Sequence, residues 1–328
     1  MKSRATLLFL LMVLVPFCLS ADDGAASIAA GGLVVMKREP RITMAREVLQ
    51  ISASKVIVDY DFRNDSDQDI TTEVAFPIPD YDHDLNRTGQ EVGFDDFQLW
   101  VNGVPAHYQV EARAFLKDKE FTQLLTGMHV DVASFGHAPL GEVGEDIKRL
   151  AAAQHKQLAE AGLIDVETAD EPLWSVRKKY YWQQTFPAHK LVHIRHEYTP
   201  IDGSENSITY GMGSNPDPAS AKEISTFCLD GQLRYFLQQI ANSKTRDAWY
   251  SYVDFILTTA NTWKTPIEDF TLIVERPHLK DTLMSYVSFC WDGPVKRIDD
   301  DHFSAHITNL VPAMELRIGF FSIVPRRF

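Results

Sequence analysis

The sequence predicts a mainly β fold with helical insertions, organised as antiparallel β-sandwich regions. Three observations predict it. Apolar and polar residues alternate through many short segments, the pattern of half-buried strands. Turn residues separate those segments, Asn102-Gly103 most clearly. Two stretches in the middle of the chain change to near-helical spacing.

The first residues speak of address rather than fold. Lys2 and Arg4 precede an unbroken apolar run, Leu7 to Val15, followed by the small residues Ser20 and Ala21. This is the layout of a secretory signal peptide, so residues 1–21 are read as one, with the cut after Ser20 or Ala21. The apolar core is too short for a permanent span, and no later apolar run approaches eighteen residues. The mature chain is therefore expected to be exported, to the periplasm or the extracellular medium, without a transmembrane span.

An N-terminal β-sandwich region is expected over 22–210. Asp22 to Gly32 is made of small residues. Lys55 to Phe62 alternates, with Val56, Val58, Tyr60 and Phe62 on one face. The polar cluster Asn64 to Asp69 then leads into Ile70 to Phe76, and the pair reads as an antiparallel hairpin. Phe97 to Val101 and Ala106 to Val110 read as a second hairpin about Asn102-Gly103. A helical insert is expected over about 111–172. Phe115, Phe121, Leu124 and Leu125 carry its first stripe, and Ile147, Leu150, Leu158 and Ala161 its second, with Gly162 as C-terminal cap. Strands return from Lys179 to Tyr198, broken near Pro187, with Val192, Ile194, His196 and Tyr198 on one face.

A Gly-, Pro-, Ser- and Asn-rich stretch, Ser204 to Ala219, marks a boundary. The C-terminal region, 211–328, is expected to be β-rich with one helix after Asp230. Its strands are Trp249–Thr259, Phe270–Glu275, Leu283–Phe289, His302–Ile307 and Glu315–Ile323.

Removing Lys2 and Arg4 leaves 30 basic residues against 45 acidic ones. Such a surface repels nucleic acid and anionic headgroups. Losing Cys18 with the leader leaves Cys228 and Cys290. In an oxidising compartment this pair is a candidate disulfide, with two buried thiols as the alternative. Closing that loop would stabilise the fold by about 4 kcal/mol.

One loop has cation-ligand spacing. Asp80, Asp82, Asp84, Asn86, Thr88 and Glu91 stand at positions one, three, five, seven, nine and twelve, as in a helix-flanked calcium loop. Leu85 stands where that turn needs glycine, and the Phe76-Pro-Ile-Pro lead-in forbids a preceding helix. Calcium on a β scaffold and a solvated acidic loop are the two readings. No other cofactor is expected. His193 and His196 point to opposite faces of a strand, which does not make a metal pair. Asp299 to His302 reads as a hairpin turn.

Signatures for nucleophilic, zinc or phosphate-loop chemistry are missing from the sequence, so the protein reads as uncertain, leaning non-enzymatic. Glycoside hydrolysis needs only two carboxylates, which composition cannot select. Trp100, Trp174, Trp182, Trp249, Trp263 and Trp291 suit a sandwich core better than a sugar platform. Trp263, beside Asn261 and Pro266, is the one placed in a loop and expected to be exposed.

Several stretches carry a family resemblance: Ala29 to Val35, Val58 to Ile70 running into Val74-Ala-Phe-Pro-Ile-Pro-Asp, Tyr180 to Ala188 before Tyr198-Thr-Pro, and Leu257 to Leu272. Together they resemble a bacterial secreted family, a domain of unknown function numbered four-four-two-four. Val58 to Pro79 is also loosely similar to the opening of vault/inter-alpha-trypsin type β-sandwich domains. The resemblance implies an exported, β-rich bacterial protein and assigns no catalytic residues. The expected function is a non-enzymatic binding or assembly module of the envelope or medium, its partner an envelope protein or a glycan. The alternative is a carbohydrate-active or lectin-like module using aromatics and carboxylates.

Overall fold

Alternation along the strands produces two large sheets packed face to face, seen in a computed structural model that describes residues 24–28, 34–82, 96–132, 142–168, 170–200, 202–205, 216, 218–278 and 282–326. The expected signal peptide lies outside the described residues. The first sheet has the order Lys119–Glu120, Gln109–Leu116, Ser175–Phe186, Ile70–Pro77, Gly24–Ile28, Val34–Met36, and Tyr81–Asp82 also pairs with Ser175–Phe186. The second runs Val295–Arg297, His302–Leu310, Ile267–Glu275, Ile42–Ile51, Val56–Asn64, Leu191–Tyr198, Gln98–Val101, Val104–Pro105.

The expected hairpin of Lys55 to Phe76 does not form. Val56–Asn64 pairs within the second sheet and Ile70–Pro77 within the first. The polar cluster carries the chain across the sandwich instead of folding it back. Ser175–Phe186 and Leu191–Tyr198 repeat the crossing in the opposite direction. Period-two alternation identifies a buried face but not the neighbouring strand, which is why both arrangements share one pattern.

The Asn102-Gly103 turn forms as expected. Both residues have positive φ, 50° and 77°, which this two-residue turn requires. Its second arm is short, Val104–Pro105, because Gln109–Leu116 belongs to the other sheet. The helical insert is smaller than predicted. Phe115 lies on a strand, and a turn at Lys117 (φ 56°) brings Glu120 opposite it. The helices are Thr122–Gly127, Glu142–Lys148 and Ala152–Glu160.

The sheet pairing crosses the expected boundary at residue 210. Ile267–Glu275 runs parallel to Ile42–Ile51, while the other strand pairs are antiparallel among the described residues. A third sheet, Asp202–Glu205, Arg246–Phe255, Leu316–Pro325, Met284–Phe289, carries core residues on both faces of its central strands. Val253, Phe255, Ile318 and Phe320 face the main core, and Tyr250, Phe321 and Ile323 face the helix Gly231–Ala241. That helix starts where expected, with the Asp230 carboxylate accepting from the backbone N–H of Leu233 at 2.7 Å. The C-terminal region holds two helices rather than the one expected, Pro218–Thr226 preceding Gly231–Ala241, and Cys228, between them, is bonded to Cys290 just past Met284–Phe289, with Cα atoms 5.0 Å apart.

Aromatic rings fill the space between the two large sheets. Phe62 meets Phe186 at 5.8 Å, and Trp182 meets His196 at 5.4 Å. Trp263 is buried at 1% exposure, against the expectation, with its ring 4.7 Å from Phe62. The loop that carries it folds over the open end of the core. His196 is wholly buried among Tyr60, Phe76, Phe97 and Trp182. Burial pushes its imidazole down to about 3, because the cation is the costly form there.

Two outcomes follow from this packing. Replacing both Cys228 and Cys290 by Ser should lower the unfolding free energy by about 2–4 kcal/mol and raise the urea m-value, since the 62-residue loop is freed and expands in the unfolded chain. His196 gives an acid sensitivity. Between the unfolded value of 6.5 and the folded value of about 3, only the unfolded chain binds the proton. Stability from this group is therefore complete above pH 6.5 and falls toward pH 3 by roughly 1.4 kcal/mol per pH unit. Urea titrations of His196→Phe should show a flatter acid limb than the unmodified protein.

Candidate functional site

The outer face of the first sheet gathers polar groups that a solvent-facing surface would normally expose. Strand register puts them there. Lys179 stands opposite Glu111, Tyr181 opposite Gln109, and Gln183 opposite Glu73. Residues two apart on a strand share a face, so these six side chains form three neighbouring rows.

At one end of the rows, Arg177 donates to Asp80 at 2.8 Å and lies over the Phe115 ring at 3.9 Å. Burial raises the Asp80 carboxyl, with Arg177 opposing the shift. In the middle row, Lys179 and Glu111 approach at 3.9 Å with side chains only 8% and 13% exposed. Burial pushes the Lys179 ammonium down, and the charge of Glu111 pulls it back. Next, the Tyr181 hydroxyl donates to Gln109 Oε1 at 2.6 Å. Burial raises its phenol, and the negative charges of Glu111 and Glu73 add to the shift.

The far row opens into a cleft of about 300 Å³ lined by Glu73, His107, Tyr108, Gln109, Tyr181, Trp182 and Gln183. Tyr108 is oriented by donating to the Phe97 carbonyl at 2.8 Å. Glu73 is the chemically distinctive member. Its Oε2 is buried without a hydrogen-bond partner among the described residues, and burial raises its carboxyl. A desolvated carboxyl of this kind strongly favours a group that hydrogen-bonds to it. Two tyrosine rings and two carboxamides beside it supply flat apolar surface and paired donors and acceptors.

The residues singled out from sequence fall elsewhere. Asp80 is engaged by Arg177, and Asp82 sits on a short strand pairing with Ser175. Asp84, Asn86, Thr88 and Glu91 lie outside the described residues, so the calcium loop is not seen as a whole. Among the described residues no group of three His, Cys, Asp or Glu could hold a metal. His193 and His196 do occupy opposite faces: His193 bridges Asp59 and Asp61 at 3.1 and 2.9 Å while His196 is in the core. Asp299 forms the expected turn, accepting from the N–H groups of Asp301 and His302. Trp174, Trp182 and Trp263 are core residues, and Trp249 is 45% exposed. Sequence reasoning missed Glu73, Gln109 and Tyr181. Their meeting depends on the register of three strands, and no local spacing encodes it.

Comparison with known proteins places this geometry in context. The model of a family described as a domain of unknown function, DUF4424, matches residues 21–318. No curated protein matches significantly. Among solved structures, a Legionella pneumophila protein described as a candidate nutrient binding protein is similar at TM-score 0.41 and 16% identity, over 92% of this chain and 72% of that one. An M1 zinc metallopeptidase from Deinococcus radiodurans is similar at TM-score 0.30 and 7% identity, over 87% of this chain and 43% of that one. At these values neither likeness speaks to function.

The raised carboxyl of Glu73 has a measurable sign. A folded value above the unfolded 4.5 means that ionisation opposes folding above that range. Glu73→Gln should therefore raise the melting temperature at pH 7, and the gain should fade below pH 4.5 in a thermal series.

Proposed function

This chain belongs to the DUF4424 family, and we propose that it is an exported, non-enzymatic binding module of the bacterial envelope or extracellular medium. One observation supports an oxidising location outside the cytoplasm: Cys228 and Cys290 are paired. No helix among the described residues is long and apolar enough to cross a membrane. The reading of Leu7 to Val15 as a cleaved leader belongs to the same proposal.

The cleft over Glu73 is the proposed ligand surface, and one observation carries it: a buried carboxylate oxygen left without a partner beside Tyr108, Tyr181, Gln109 and Gln183. Neutral polyhydroxylated ligands suit this set. Hydroxyls would donate to Glu73, exchange hydrogen bonds with the carboxamides and lay their C–H faces on the tyrosine rings. The cleft thus favours a lectin-like form of the module over one that recognises a charged polymer. The second reading, a carbohydrate-active enzyme, draws on the same raised carboxyl, which suits a general acid.

A panel of neutral oligosaccharides, titrated calorimetrically and then analysed for products by chromatography, tests both. Binding is expected without cleavage, weakened by about tenfold or more in Glu73→Gln, which loses a hydrogen bond to a charged group, and in Tyr181→Ala, which loses a ring face. Cleavage abolished by Glu73→Gln would instead establish the enzyme. Binding unaffected by either variant, or none across the panel, would remove the cleft as the site.

A further inference from the structure

A second cleft lies between the end of Ile267–Glu275 and the start of Met284–Phe289. Its volume is about 630 Å³. The turn that Asp299 organises holds two of its lining residues, Arg276 and His278. The backbone N–H of Arg276 donates to the Asp301 carbonyl at 2.7 Å. The Arg276 side chain donates through Nη2 to the Asp300 carbonyl at 2.5 Å and to Asp301 Oδ1 at 3.1 Å. His278 Nε2 reaches the same carboxylate oxygen at 2.9 Å. Asp301 therefore holds the guanidinium and the imidazole together at the mouth of the cleft.

Donor capacity on this lining is left over. Arg276 Nε and Thr282 Oγ1 are both buried and have no hydrogen-bond partner among the described residues. Among the described residues the Tyr286 hydroxyl reaches the Met284 sulfur, at 3.9 Å, and sulfur is a weak acceptor. The Ser285 hydroxyl is already used, donating to the Pro277 carbonyl at 2.7 Å. A buried N–H or O–H without an acceptor costs free energy until one arrives. Leu283 and Met284, 52% and 46% exposed, give the same cleft an apolar wall.

We propose that this cleft binds a small amphiphilic oxyanion, a carboxylate or phosphate ester whose oxygens accept from Arg276 Nε and the Thr282 and Tyr286 hydroxyls while its apolar body covers Leu283 and Met284. Asp301 already balances much of the Arg276 charge. Attraction for a bare ion is therefore small, and affinity rests on the unmade hydrogen bonds together with apolar contact. The site is remote in sequence from Glu73 and stands independently of the glycan reading.

Calorimetric titration of the full mature protein with octanoate, octyl phosphate, acetate, inorganic phosphate and octan-1-ol tests this. The eight-carbon anions should bind about tenfold or more tightly than acetate or inorganic phosphate, through apolar burial, and more tightly than octan-1-ol. Of the two, the tighter binder identifies the head group. Arg276→Gln should weaken that binding about tenfold, as the loss of a charge-assisted hydrogen bond. Thr282→Val, which leaves the Arg276–Asp301 pair intact, should weaken it less. Octanoate and octyl phosphate that bind no better than octan-1-ol, or equally well in both variants, would overturn the proposal. So would no heat from either anion.

Discussion

Asn64 is the constraint on which the rest of the structure depends. It is wholly buried at the point where the chain leaves the second sheet for the first. Its amide donates to the carbonyls of Gln68 and Phe186, both at 2.8 Å. Its side-chain oxygen accepts from the backbone and hydroxyl of Ser66 at 2.9 and 2.8 Å. All four hydrogen bonds available to an asparagine side chain are made. Its backbone also pairs with the second crossing, through the Lys190 carbonyl and the His189 N–H. One residue thus fastens both passages between the sheets. Each neighbouring feature depends on that fastening: the Phe62–Phe186 contact, the aromatic enclosure of His196, and the face on which Glu73 emerges three residues after Ile70. A buried amide this well satisfied specifies one arrangement, because any other crossing would strand its polar atoms.

Much of the fold is legible in the sequence where the cause is local. Asn102-Gly103 turns the chain because those two residues tolerate positive φ. Asp230 starts a helix because its carboxylate reaches the third N–H beyond it. Alternation from Leu191 to Tyr198 separates the buried from the exposed face correctly. The misreadings share one physical source. Lys55 to Phe76 looks like a hairpin because alternation names a face and leaves the partner strand open. Trp263 looks exposed because its neighbours are loop formers, yet Phe62, some 200 residues earlier in the chain, supplies its cover. The cleft was illegible for the same reason: Tyr181 and Gln109 are 72 residues apart and meet only through strand register.

The two outer faces of the sandwich contrast in how far their polar groups are satisfied. On the second sheet, Arg46, Asp61, His193, Asp59, Arg195, Glu197 and Lys55 form a continuous ladder in which each side chain contacts the next through an ion pair or a hydrogen bond. Solvent screens such a ladder, and its groups already have partners, so it offers a ligand little. The outer face of the first sheet is organised differently. Arg177 and Asp80 are paired and Lys179 faces Glu111, but the sequence of partners stops at Glu73. Among the described residues, desolvation there is not offset by a hydrogen bond to Oε2. Composition alone, with acids well in excess, gives no reason to prefer one carboxylate over another. Burial does, because a carboxylate that has lost water and gained no donor is the one whose energy a ligand can change most.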